Sequence, residues 1–183
     1  MILSHLIKQK NYEKIEYLLR RHPITFVPQI LLFILLMAIP FVVYLLINNL
    51  YPTILDPMTS EILFPIAVLV ASIYYFGLYL FFYSQFIEFY LDMWIVTNDR
   101  IVDVEQNGLF SITISELDLH RVQDVTVDMN GIFPSLFKYG HVRVKTASQN
   151  LGIIFHNVPN PNEIREALIQ LSDEDRKHHQ EDK

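Results

Sequence analysis

The chain has no cysteine, so disulfides, thiol nucleophiles and cysteine-held metal sites are excluded at the outset. Glycine is scarce, at five residues, and none builds a Gly-rich phosphate loop or a Gly-x-Ser-x-Gly elbow. The most consequential absence is of charge. There is no Asp, Glu, Lys or Arg between Arg21 and Asp56, and none between Glu61 and Glu88. A helix on the surface of a water-soluble domain needs a polar face, which such runs cannot supply. Within residues 24–50 and 62–87 there is no Asp, Glu, Lys, Arg or His, which also removes the groups on which transport pathways and proton relays depend.

What fills these stretches is two apolar segments, residues 24–50 and 62–87, around a short loop at 51–61 that begins Tyr51-Pro52. At 1.5 Å per residue each reaches roughly 40 Å, and a hydrocarbon core of about 30 Å needs only about 20 residues. The reading is a two-helix transmembrane hairpin. A cleaved signal peptide is not expected, because its apolar region would be about 7–15 residues long and closer to the N-terminus. Pro40 predicts a kink in the first helix. In the second, Ala67 and Ala71 have small-xxx-small spacing, and Tyr75, Tyr79 and Tyr83 share one face as in an aromatic belt.

The net charge of −6 conceals an uneven arrangement. Lys8, Lys10, Lys14, Arg20 and Arg21 precede the first span, the loop has only Asp56 and Glu61, and the chain from Glu88 onward totals −7. Lys and Arg in short flanks set orientation, so both termini are expected in the cytoplasm and the loop outside. Residues 1–23 place Ile2, Leu3, Leu6, Ile7, Tyr12, Ile15, Leu18 and Leu19 at spacings that include helical ones. This juxtamembrane segment is expected either to lie on the inner leaflet or to serve only as a cationic lead-in.

After Glu88 the rhythm turns to alternation. Phe89, Leu91, Met93 and Ile95 share one face, and strand-like runs follow at 101–105, 110–115, 119–129, 140–146 and 151–157. Turn signals stand at Asn98-Asp99, Asn107-Gly108, Asn130-Gly131 and Gln149-Asn150. Glu116 interrupts the alternation, which calls for a turn or bulge. Asn160 before Pro161 and Glu163 opens a helix with the stripe Ile164, Ala167, Leu168 and Leu171. Residues 173–183 are polar and charged throughout and are expected to be disordered. The fold class is thus α+β: a membrane hairpin followed, over 88–172, by a small antiparallel barrel or orthogonal sandwich capped by a C-terminal helix.

Specific residues add to this pattern. Trp94-x-x-Thr97-Asn98-Asp99-Arg100-Ile101 is followed by Gly108 and by Leu119-x-Arg121-Val122-Gln123-Asp124-Val125. Then comes Leu136-Phe137-Lys138-Tyr139-Gly140-x-Val142-x-Val144-x-Thr146-Ala147, while Glu13-Lys14-x-Glu16-x-x-Leu19-Arg20-Arg21-His22-Pro23 precedes the first span. The succession resembles the bacterial pleckstrin-homology (PH) domains of small membrane proteins. The resemblance implies two spans and a cytoplasmic PH-like barrel, and it implies no particular chemistry. Lipid-binding PH domains of eukaryotes gather several cations at the first hairpin. Here Thr97–Arg100 has one cation and one anion, so phosphoinositide binding is not expected.

Local readings can be attached to single residues. Gly140 is expected to need a positive φ after a helical turn at 133–139. Arg100 is expected in a surface pair with Asp99 or Glu105, and Arg121 with Asp124 would anchor a turn. No nucleophile–base arrangement is present: Asp118 and His120 merely share a strand face, and His178-His179 sits in the polar tail. No catalytic residue, cofactor, metal or nucleic-acid partner is therefore expected. The candidate interaction patch is His141, Arg143 and Lys145, which alternate with Val142 and Val144. Two functions follow: a membrane-anchored adaptor that binds another protein or itself, or an accessory subunit contacted through its spans.

Overall fold

The computed structural model describes residues 10, 12–50, 57–146 and 152–181. The loop at 51–56, the Gln149-Asn150 turn and the side chains of His178 and His179 lie outside the described residues. The chain divides into two compact units, Phe26–Ile87 and Met1–Thr25 with Glu88–Lys183.

The first unit is helical. Helix α1 spans Val27–Leu50 and runs unbroken through Pro40, after a 3₁₀ turn at Pro23–Phe26. Helix α2 spans Pro57–Leu91, longer at both ends than the 62–87 expected, so Phe89 and Leu91 are helical rather than strand. The helices are antiparallel: Tyr74 donates to the Leu36 carbonyl at 2.8 Å, and Phe33 meets Phe82 at 4.3 Å between ring centroids. The stretches Pro23–Leu50 and Ile62–Leu91 are both long and apolar enough to cross a membrane. Leu35 and Phe76 are 65% and 66% exposed, and continuous apolar surface of this kind is unfavourable in water.

The second unit is built on two antiparallel sheets. Strands β1 (Ile15–Arg20), β2 (Met93–Thr97), β3 (Arg100–Asn107) and β4 (Ser111–Asp118) form one in that order. Strands β5 (Val122–Asp128), β6 (Tyr139–Thr146) and β7 (Gly152–Pro159) form the other. Helix α3 (Ile132–Phe137) joins β5 to β6, and helix α4 (Pro161–Glu181) follows β7. One core unites both sheets and α4: Leu19, Trp94, Val96, Ile101, Leu119, Val142, Val144, Phe155, Ile164 and Leu168 are all buried. The stripe expected on the last helix is the one that packs.

Strand β1 corrects the helical reading over Ile15–Arg20, while Ile2, Leu3, Leu6 and Ile7 lie outside the described residues. Its residues pair with β2, Leu18 opposite Ile95 and Leu19 opposite Trp94. Backbone hydrogen bonds to an otherwise open edge outweigh the local helical spacing. The domain therefore does not begin at residue 88; it recruits chain from before the helices.

Strand β4 is also unlike its forecast. It pairs with β3 from Arg100↔Asp118 to Asn107↔Ser111 without a bulge. The broken alternation arises because Ile112 and Ile114 stay exposed on one face, while Leu117, on the other, reaches the core opposite Ile101. The expected strand at 119–129 opens with a 3₁₀ turn at Leu119–Arg121, and only Val122–Asp128 is strand.

Gly140 is not at positive φ; Lys138 takes the left-handed conformation instead, at φ 52°. Gly140 is required for space, since a Cβ there would lie 2.8 Å from both the Asp128 carbonyl oxygen and Met129 Cγ. The expected disordered tail is helical to Glu181. Ser172 Oγ donates to the Leu119 carbonyl at 3.0 Å, Arg176 donates to the Val122 carbonyl, and Asp175 is buried. These contacts hold a segment whose composition alone suggests none. Arg165 Nε likewise donates to the Val125 carbonyl, so α4 satisfies two carbonyls of β5, an edge strand of its sheet.

Candidate functional site

The turn between β2 and β3 is locked from within. Thr97 Oγ1 accepts from the Arg100 backbone N–H at 3.0 Å and donates to the Arg100 carbonyl at 2.9 Å. The segment before β1 then closes over it: Lys14 N donates to Asn98 Oδ1 at 2.7 Å, and Lys10 Nζ meets Asp99 at 2.6 Å. Arg100 is not the surface residue the sequence suggested. Its guanidinium meets Glu13 through Nε at 2.9 Å and Nη2 at 3.0 Å, and Glu116 through Nη1 at 2.6 Å. Burial alone would raise the Glu13 carboxyl, but Arg100 and the Lys10 backbone N–H hold it below its ordinary value. The cation of this hairpin is thus engaged by the chain's own carboxylates.

Three other expectations about charged pairs resolve simply. Arg121 pairs with Asp118 at 3.2 Å rather than with Asp124. His120 faces Asp175 at 3.7 Å, not Asp118. The patch residues His141, Arg143 and Lys145 do lie on one face of β6, but β5 sets Asp128 opposite His141 and Asp124 beside Lys145. Arg143 Nε contacts Asp128 at 2.8 Å, so the stripe is one of mixed charge.

The most distinctive polar feature is a cavity of about 180 Å³ lined by Arg21, Asp92, Trp94, Asp103, Glu105, Ile154 and His156. Asp92 follows α2 directly; it pairs with Arg21 and accepts the Gln106 backbone N–H at 2.7 Å. Asp103 and Glu105 sit two apart on β3, both facing the β2 side chains of the core layer. Burial pushes the Asp103 carboxyl up to about 6, with Glu105 and Asp92 adding repulsion. Burial also lowers the basicity of His156, and Arg21 and His141 lower it further, which favours neutral imidazole. Trp94 Nε1 lies close enough to Asp103 to favour its charged form, yet among the described residues it closes no hydrogen bond of normal geometry, and buried Arg21 Nε likewise has no acceptor among them.

Such a cavity offers two idle donors and two carboxylates that make no ion pair among the described residues. It suits a small polar ligand or ordered water. No group of three His, Asp or Glu among the described residues could hold a metal ion. Sequence reasoning passed over this site. In sequence Asp103 and Glu105 alternate with Val102 and Val104 as on an ordinary solvated strand face, so no local signal marked the site.

Comparisons with known proteins give the family. The sequence pattern described as bacterial PH domain matches residues 23–172, well over half of the chain. No curated protein matches the chain. A crystal structure of a DUF1696 family protein with a pleckstrin-homology domain, from Shewanella loihica PV-4, is similar at 14% identity and a TM-score of 0.37. That similarity covers 44% of this chain and 70% of the other. On the family match, the chain belongs to the bacterial PH domain family.

Proposed function

We propose that the protein is a membrane-anchored, non-catalytic adaptor, with a PH-like barrel held at the cytoplasmic membrane face to bind another protein or a second copy of itself. The observation that carries this reading is the connection between helices and sheet. One residue, Asp92, separates α2 from β2, and the 3₁₀ turn Pro23–Phe26 leads from the β1 side into α1. Strand β1, before the two apolar helices, pairs with β2, after them. Two spans return the chain to its starting side, so this pairing supports a common side for both flanks. The Lys/Arg asymmetry assigns that side to the cytoplasm and residues 51–61 to the exterior. Without a linker, the domain is a fixture of the membrane surface. Phosphoinositide recognition has no support, because Lys10 and Arg100 are already paired.

The second reading, an accessory subunit contacted through its spans, is favoured by one observation. Gln29 and Gln85 line an otherwise apolar crevice of about 80 Å³ with Phe33, Leu36, Leu78 and Phe82. Polar side chains among apolar helices serve helix–helix association. Photo-crosslinkers placed in the full-length protein at Lys145 and at Phe76, in native membranes, separate the two. Protein adducts from Lys145 support the adaptor; adducts from Phe76 alone refute it. The topology is checked with Thr59→Cys and Glu166→Cys. An impermeant thiol reagent on intact cells should label the first and spare the second.

A further inference from the structure

The second unit leaves several apolar side chains partly exposed, Ile112 and Ile114 of β4 among them at 55% and 43%, but its four most exposed large apolar side chains among the described residues lie at two tips. Phe110, in the turn between β3 and β4, is 97% exposed, and Ile132, Phe133 and Leu136 of α3 are 83%, 67% and 68% exposed. Both tips stand beside points where the chain enters or leaves the apolar helices. Tyr139, two residues past α3, stacks on His22 at 5.4 Å, and His22 immediately precedes Pro23. The β3–β4 turn is tied to Asp92, just past Leu91: Gln106 N donates to Asp92 Oδ1 at 2.7 Å, and Gln106 Nε2 donates to the Gly108 carbonyl at 2.7 Å. Arg21 pairs with Asp92, so the two anchoring points are themselves joined.

We infer that the Phe110 turn and α3 are two wedges that enter the cytoplasmic leaflet and fix the orientation of the domain on the bilayer. The inference rests on the membrane-anchored reading above. Its occupant is the lipid interface, for reasons of position and chemistry. Apolar side chains held next to both helix roots lie at headgroup depth, where aromatic and aliphatic groups are favoured. Lys138, at the end of α3, is exposed and makes no ion pair among the described residues, which leaves it for anionic headgroups. Soluble partners would be served equally well by apolar tips at the far end of the sheets. Here both tips gather at the end where chain and bilayer meet.

The test uses full-length protein in vesicles of phosphatidylcholine with a fifth phosphatidylglycerol. Single variants Phe110→Cys, Phe133→Cys, Phe76→Cys and Glu166→Cys carry an environment-sensitive fluorophore, and quenchers are attached to lipids at headgroup or mid-chain depth. Labels at 110 and 133 should emit blue-shifted and be quenched several-fold more by the shallow lipid quencher than the label at 166. The label at 76 should respond to the deep quencher. Aqueous emission at 110 and 133 with normal deep quenching at 76 overturns the wedges and leaves the anchor standing. Loss of deep quenching at 76 overturns the anchor and the wedges with it. Emission at 110 and 133 that is blue-shifted only at high protein density, without lipid quenching, overturns the inference in favour of a second copy.

Discussion

Replacing Glu13 by Ala should be among the most destabilising single changes in the second unit, although the residue lies in an irregular segment before the first strand. Its side chain is 0% exposed and that of Arg100 10% exposed, and the two meet through a two-pronged contact. Removing the carboxylate takes the two-pronged contact from a buried guanidinium, whose other ion pair is with Glu116, a side chain 49% exposed. Breaking a buried pair in this way costs about 3–5 kcal/mol, a large part of the roughly 5–15 kcal/mol that holds a typical domain. Glu116→Ala should cost no more than about 1 kcal/mol, as for exposed pairs. Trp94, the only tryptophan, packs on Phe155 at 5.6 Å and reports unfolding of this unit directly. Urea titrations of full-length protein in mild detergent, read by that fluorescence, give both values. Adding Arg100→Met to Glu13→Ala should recover part of the loss, because no charge is then left buried alone. The folded pKa of Glu13 lies below its ordinary 4.5. Its contribution is thus present above about pH 4.5 and fades as pH falls through the folded value. Equal, small effects of Glu13→Ala and Glu116→Ala would refute the reasoning.

Three other outcomes follow from the same structure. Asp103 has its folded pKa raised from 3.8 to about 6, so the folded state binds the extra proton and stability falls as pH rises through that window. Asp103→Asn should therefore stabilise the protein by about 1–3 kcal/mol at pH 7.5 and by little at pH 4, at about 1.4 kcal/mol per unit less solvent screening. Leu168→Asp should lower stability by several kcal/mol, about 3–5, by placing an unpaired charge among Ile164, Leu119 and Val142; an unchanged urea midpoint would refute the packing of α4. Removing residues 1–21 should leave membrane insertion of the helices intact but make residues beyond 92 protease-sensitive in membrane vesicles, since Leu19, Glu13 and the β2 edge partner go together.

The sequence was most legible where side-chain pattern and burial coincide. The charge-free runs became α1 and α2, and Ile164 and Leu168 became the packed face of α4. It was least legible where distant chain supplies the partner. Nothing local to 15–20 specifies a strand; the edge of β2, more than seventy residues on, specifies it. Arg100 looked like a surface residue because its neighbours Asp99 and Glu105 are charged, whereas its partner Glu13 lies on the other side of two apolar helices in sequence. Residues 173–181 read as disordered because the carbonyls that hold Ser172 and Arg176 belong to Leu119 and Val122. The cavity was hidden for the same reason, since Arg21, Asp92, Asp103 and His156 converge from four separate segments.

That dependence on distant chain gives the helices a structural task. Strand β1 must meet β2 although 72 residues intervene between Arg20 and Met93. A flexible connection of that length would carry a substantial closure cost, which grows with the logarithm of loop length. Most of the intervening chain is instead two antiparallel helices. Phe26, at the start of the first, lies against Phe82 and Phe86 near the end of the second, at 5.7 and 5.9 Å between centroids. The helical pair thus returns the chain to where it left, and the flanks it delivers are those that Arg21 and Asp92 join by an ion pair. The sheet, the Glu13–Arg100 contact and the cavity wall each need residues from both flanks of the helical pair.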